Sequence, residues 1–332
     1  MTFEQILANL TNKIYHPVYF LCGEEPYYID VISDFIEQNV LSEAEKEFNQ
    51  HILYGRDANV EMIISYVKRF PMMANYQVVI IKEAQDLDKI ENLASYFEKP
   101  LKSTILVFCY KYKKIDKRKT FSKVIDKTGV LFESKKLYDS QIPTWITDYL
   151  KNKKFSILPK AAVLMAEYLG NDLSKIVNEL NKIIINVPAN SQISLEHIEE
   201  NIGISKDFNI FELQNAVGKK DILKATRIIK YFSQNTKLHS LVLTLNILHT
   251  FFSKLLIYHQ VQDKSPKSIS TALSIQPFFV NDYKIGANNY SPSKIIEIFS
   301  ILREYDLKFK GIENPSTTEN ELNKELIYKI LH

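Results

Sequence analysis

Apolar and polar positions along this chain follow two different rhythms. Up to about residue 139, short β-favouring apolar runs alternate with amphipathic helical stretches. "VYFLC" (18–22) reads as a buried strand closed by Gly23, after which Ile29, Ile32, Phe35 and Ile36 share one helical face. A strand near 51–54, a helix over 60–70, the strand "QVVII" (77–81), a helix near 89–97, and the strands "TILVFC" (104–109) and "GVLFE" (129–133) continue the alternation. Strands of this kind separated by helices predict βαβ units, hence a mostly parallel sheet covered on both faces.

From Asp139 the period becomes helical throughout. "DSQIPTWITDYLKNK", "LPKAAVLMAEYLG" and "NDLSKIVNELNKIII" predict three helices, with Pro159 in a first turn and Gly170 at a stop, and "SLEHIEENIG" (194–203) predicts a fourth. After Phe208 only helical signals remain. Leu238, Leu241, Val242, Leu245, Leu248 and Phe252 recur at helical spacing among further apolar neighbours, which predicts a helix over about 238–258 buried on several sides. The expected plan is α/β followed by all-α, in three segments: 1–139, 140–207 and 208–332. No internal repeat stands out, and "GIENPSTTENE" (311–321) is the loosest stretch.

Composition narrows the class. The 332 residues are 45% hydrophobic and 24% charged, as expected of a globular chain that buries a large core. Eight glycines fall mostly between predicted elements, and two cysteines, Cys22 and Cys109, each end a predicted buried strand, where a small thiol in a reducing compartment is expected. Cys/His spacing for zinc is missing. The opening "MTFEQILANLTNK" lacks a basic segment followed by an apolar one, and the 238–258 stretch is interrupted by His239, Thr244, Asn246, His249 and Lys254. A cytoplasmic chain without a membrane span is therefore expected. Net charge is only +3, yet residues 1–109 carry 9 basic and 16 acidic groups while residues 110–160 carry 14 and 5. A basic middle of this kind predicts a local surface for polyanions.

Candidate chemistry centres on the first strand–glycine–helix unit, the frame of a phosphate-binding loop. Such a loop needs a second glycine so that the backbone wraps the phosphates, then Lys and Ser/Thr for phosphate and Mg²⁺. Counting from Gly23, those places hold Tyr28, Ile29 and Asp30, and the turn carries Glu24 and Glu25, read as solvated acids that would repel a triphosphate. The strand that should end in a metal-binding Asp ends instead in Lys82, within "VVIIKEAQ". The helical stretch "LGNDLSKIVNEL" offers Ser174 and Lys175 where an arginine reaching the nucleotide would be needed. Three losses in this order describe a dismantled nucleotide site. GxSxG, HExxH and Gly-rich dinucleotide signatures are absent. His239, His249 and His259 are ten residues apart, which does not align them on one helix face. Outside this frame, "RFPMMANYQ" places Met72 and Met73 after Pro71, which is expected to halt the 60–70 helix. They either pack beneath the next strand or form an adaptable binding pair; Phe70 belongs either to the core or to the same patch, and is read as core. "YKYKKIDKRK" (110–119) holds Lys111, Lys113, Lys114, Lys117, Arg118 and Lys119, either as a solvated loop or as phosphate contacts.

The stretches "VYFLCGEEPYYID", "YGRDANVEMIISYVKRFPMMANYQVVIIKEAQDL", "LGNDLSKIVNELNKI" and "FNIFELQNAVGKKD", spread over about two thirds of the chain, resemble the δ-subunit family of the bacterial DNA polymerase III clamp loader. The resemblance implies an AAA+ module (a RecA-like domain with a helical lid) followed by a helical collar. It implies a subunit of the polymerase holoenzyme, without catalysis or cofactor of its own, in a five-subunit ring with ATPase (γ/τ) subunits and a δ′ subunit. Relatives of those other types usually carry zinc-binding cysteines and a Ser-Arg-Cys motif, which this chain lacks. The implied partners are the β sliding clamp, which δ binds and opens, and primer–template DNA. The family's clamp-binding hydrophobic pair aligns with Met72 and Met73, a departure from a Leu-Phe type. It does not assign the lysines of the basic run. An active AAA+ ATPase with unorthodox motifs and a stand-alone nucleic-acid-binding protein remain the alternatives.

Overall fold

A computed structural model describes residues 1–235, 240–312 and 316–332. Leu238 and His239, and part of the loose 311–321 stretch, lie outside the described residues. The chain divides into two compact units, one of Met1–Ile142 with Asn171–Val177, the other of Pro143–Gly170 with Asn178–His332.

The first unit runs α1 (Phe3–Thr11), β1 (Val18–Gly23), α2 (Pro26–Asn39), α3 (Glu43–Asn49), β2 (Gln50–Tyr54), α4 (Val60–Val67), β3 (Gln77–Lys82), α5 (Ala94–Glu98), β4 (Thr104–Lys111), α6 (Thr120–Thr128) and β5 (Val130–Ser134). Its five strands are all parallel, in the order β2-β3-β4-β1-β5. Both faces are covered, so β1 and β3 are nearly continuous apolar runs. Ile6 and Leu10 of α1 and Ile29, Ile32 and Ile36 of α2 pack on Val78, Ile80 and Val107. Val60, Ile63 and Val67 of α4 pack with Phe97, Phe121 and Ile125 on Val79, Ile81, Leu106 and Phe108. Cys22 and Cys109 are buried free thiols, and burial pushes each up to about 11.

Two predicted helices are shorter than their patterns. The 89–97 pattern splits into a 3-10 turn, Ile90–Leu93, and α5. The helix expected over 60–70 ends at Val67, before Pro71. Side chains distant in sequence capture its last carbonyls: Gln77 donates to Tyr66 O (3.0 Å), and Tyr96 and Thr104 donate to Val67 O (3.3 and 3.2 Å). Pro71 has no N–H to offer Val67 O, so these side chains satisfy carbonyls that the helix itself leaves open.

The remaining elements are α7 (Ile142–Asn152), β6 (Ser156–Ile157), α8 (Pro159–Leu169), α9 (Leu173–Asn186), β7 (Gln192–Ile193), α10 (Leu195–Ile202), α11 (Ile210–Gly218), α12 (Ile222–Gln234), α13 (Leu241–Gln260), α14 (Pro266–Leu273), α15 (Val280–Asn289), α16 (Pro292–Phe309) and α17 (Glu319–Leu331). The two-residue parallel pair β6–β7 has no signature in the sequence pattern. At the centre of the second unit, α13 packs against α11, α14, α15, α16 and α17. Among the described residues it is the one helix long and apolar enough to cross a membrane, with a mean hydropathy of 1.5, and half of that stretch is buried within the unit. Phe251 and Phe252 meet the rings of Tyr283 and Tyr290 at 5.3 and 5.1 Å. His249 lies against Phe299, and His259 Nε2 is 2.8 Å from Tyr290 O, so both serve packing. A charged clasp ties α8 to α11 and α12: Glu212 sits 2.6 Å from Lys160 and 2.5 Å from Lys224. Burial opposes ionisation of Glu212, but the two lysines outweigh it and hold the carboxyl below its ordinary range.

Candidate functional site

At the C-terminal edge of the sheet, β1 passes into α2 through a turn of only Glu24 and Glu25. Gly23 has φ +129°, and a Cβ there would lie 2.0 Å from Ser134 O, so only glycine fits. Its N–H donates to Lys113 O (3.0 Å), and that of Glu24 donates to Ser134 O (3.1 Å). Glu25 departs from the solvated turn acid expected of it. It is 3% exposed and accepts from the Tyr27 N–H at 3.1 Å as the N-cap of α2, with Pro26 in the first turn. Burial raises the Glu25 carboxyl above its usual range, and Asp172 pushes in the same direction. The helix N-terminus, where a phosphate would meet free N–H groups, thus holds the chain's own carboxyl group.

The positions that would follow a phosphate loop are already inside α2. Tyr28 lies edge-on against Phe3 at 4.7 Å, Ile29 is core, and Asp30 pairs with Lys111 at 2.8 Å. Lys82, at the end of β3, binds Asp34 and Glu37 of α2, each at 3.1 Å. Burial alone would lower its pKa, but the two carboxylates outweigh that and raise it. An ammonium here joins strand to helix where a metal ion would join strand to nucleotide. The segment that could deliver an arginine brings Asp172 instead, which accepts from the Lys175 N–H at 3.0 Å.

The basic run lies at this same edge and is neutralised from within. Lys111, paired with Gly23 across β1 and β4, is mostly buried between Asp30 and Glu83 (2.8 and 3.4 Å). Burial opposes its charge, but the bond to Asp30 wins and raises its pKa. Lys113 donates to Gln85 O (3.4 Å), Lys114 meets Glu24 (3.0 Å), Lys117 meets Glu133 (2.5 Å) and Lys119 meets Glu91 (3.1 Å). Arg118 forks onto Asp116, both bonds at 3.0 Å. The exposed pairs are individually weak and exchangeable. Lys111 is structural.

Met72 and Met73 occupy the opposite edge, where β2 and β3 begin. Met72 is 61% exposed and Met73 fully so, and Phe70, read from sequence as core, is 77% exposed. With α4 ending at Val67, Phe70 leaves the helical register that would have buried it. Asn49, buried at the end of α3, fixes the loop: its Oδ1 accepts from Met72 N–H (2.7 Å) and its Nδ2 donates to Met72 O (3.0 Å) and Glu45 O (3.0 Å). Met73 takes φ +52°, a left-handed backbone that turns its side chain off the loop. Asn49 has no signal in the sequence, because its partner lies 23 residues away.

The family described as DNA polymerase III, delta subunit, matches residues 19–135, and that described as DNA polymerase III delta subunit, C-terminal domain, matches residues 207–323. Over 323 residues the chain is 26% identical to DNA polymerase III subunit delta of Bacillus subtilis (strain 168), spanning 93% of this chain and 92% of that one. Among solved structures it is similar to the Bacillus subtilis DNA clamp loader delta protein, with a TM-score of 0.56, 21% identity and 99% of each chain covered, a likeness that speaks for the fold. Two matches to one family, in order along the chain and on a parallel sheet followed by helices, lead to one conclusion: this chain belongs to the DNA polymerase III delta-subunit family.

Proposed function

We propose that this chain binds and opens a ring-shaped sliding clamp during DNA replication, within a clamp loader whose ATPase (γ/τ) and δ′ subunits are its neighbours, without hydrolysing ATP itself. Residues 1–139 supply the clamp contact, 140–207 a lid, and 208–332 the assembly surface. The observation that carries this reading is the exposed Phe70, Met72 and Met73 cluster, held by Asn49 on a sheet whose opposite edge is filled by its own charges. Methionine suits such a contact, being flexible and apolar. The absence of hydrolysis is supported by Glu25 at the start of α2 and Lys82 on Asp34 and Glu37. Primer–template DNA meets the exposed members of the basic run.

The test is Met72→Ala combined with Met73→Ala in the assembled loader. Burying each side chain in a partner contributes about 1.5–3 kcal/mol, so clamp affinity should fall by roughly two to four decades. Thermal unfolding and assembly should stay unchanged, since both side chains are exposed. A large drop in melting temperature with normal clamp binding would return the pair to a packing role.

A further inference from the structure

Peroxides attack two kinds of sulfur, and the fold separates them. Cys22 and Cys109 are fully buried, and burial pushes each thiol up to about 11, so the reactive thiolate is scarce. A thioether has no proton to lose, so its reactivity follows its exposure. Of the five methionines, Met165 is buried in α8, while Met1 and Met62 are exposed to a smaller degree than the pair at 72 and 73. Met73 is fully exposed, and Met72 is the next most exposed of the five. That exposure is fixed by the backbone. Asn49 bonds to Met72 N–H and O, and the left-handed backbone at Met73 turns its side chain off the loop. The most accessible sulfur atoms of the chain are therefore the two of the proposed clamp contact.

We infer that Met72 and Met73 form a reversible oxidation switch: hydrogen peroxide converts them to sulfoxides, and the chain then no longer holds the clamp. The inference rests on the proposed clamp contact. In the forward step the O–O bond of the peroxide breaks and one oxygen bonds to Sδ. The sulfur gives up two electrons, and the rest of the peroxide leaves as water. In the reverse step two thiols of a reductase become a disulfide, and the sulfoxide oxygen leaves as water. The sulfoxide oxygen is a strong acceptor, and a pocket that receives methionine is apolar, so seating it there leaves a polar group unpaired. Folding is untouched, because both side chains lie in solvent and Asn49 grips Met72 by main-chain atoms that oxidation leaves alone. A bound clamp covers the pair, so the switch acts on chains that have yet to engage one.

The experiment treats the full chain with hydrogen peroxide, alone and saturated with sliding clamp, and follows each methionine by peptide mass spectrometry. Met72 and Met73 should gain oxygen about tenfold faster than Met165, and bound clamp should slow them. Clamp affinity of the oxidised chain should fall about tenfold or more at an unchanged melting temperature, and return after a methionine sulfoxide reductase with dithiothreitol. The variant Met72→Leu with Met73→Leu keeps Met1 and Met62; whatever its own affinity, peroxide should leave that affinity where it was. Three results overturn the switch: oxidation of the pair no faster than of Met165, an oxidised pair that binds clamp as before, or an equal loss in the leucine variant. The clamp contact fails by a different sign, normal binding by unoxidised Met72→Ala with Met73→Ala, so the two failures are told apart.

Discussion

Glu25 changes meaning between sequence and structure. Beside Glu24 in a two-residue turn it reads as one more solvated acid; in the fold it is buried, caps α2, and faces Asp172. Its carboxyl titrates above the ordinary range in the folded chain, so the ionised form is disfavoured there relative to the unfolded chain. The resulting penalty is full at pH above the folded pKa and disappears as pH falls below the ordinary carboxylate range. Glu25→Gln keeps the acceptor for the Tyr27 N–H and drops the charge. The variant should melt above the parent at pH 8, with the gap closing toward pH 4. Neither chain should take up Mg·ATP in a calorimetric titration; micromolar affinity of the parent, or a gap that widens in acid, would refute this account. Single residues are the hardest to read from sequence. Met72 and Met73 are legible as a pair but ambiguous between core and surface, and Phe70 is misplaced because its burial depends on where a helix stops.

Helix α4 shows why element ends are harder to read than elements. Its start at Asn59, whose side chain accepts from the Met62 N–H, is written locally, as are the apolar strands beneath it. Its end is marked locally by Pro71, but stopping at Val67 rather than Phe70 goes with Gln77, Tyr96 and Thr104, which satisfy the last carbonyls and whose positions only the assembled sheet supplies. The same holds for the loop that follows, which depends on Asn49. Asn49→Ala removes both bonds to Met72 while leaving the methionine side chains intact. It should lower stability by about 1–3 kcal/mol and weaken clamp binding about tenfold through a looser loop. Amide exchange over residues 70–76 together with clamp affinity checks both. Unchanged exchange with unchanged affinity would mean the loop holds its shape without Asn49.

At the scale of the whole molecule, the uneven charge seen in the sequence meets acidic partners within the fold. Acidic groups of the first unit reach into the run at Glu24, Glu91 and Glu133, and Lys111 is drawn into the interior. Replacing Lys113, Lys114, Lys117 and Arg118 with Ala should therefore leave the fold intact and weaken DNA binding by the assembled loader. The slope of log K against log salt should fall by about 0.9 for each duplex phosphate that these cations no longer neutralise. An unchanged slope would leave these residues to their internal partners. Lys82 carries a wider consequence. A protein that holds its ligand reversibly gains stability only as that ligand's concentration exceeds its dissociation constant, so dilution, chelation or a fall in cellular supply loosens it. Here the cation between β3 and α2 is bonded into the chain and travels with it. Its supply cannot run down, so the link between β3 and α2 does not depend on the concentration of any ligand.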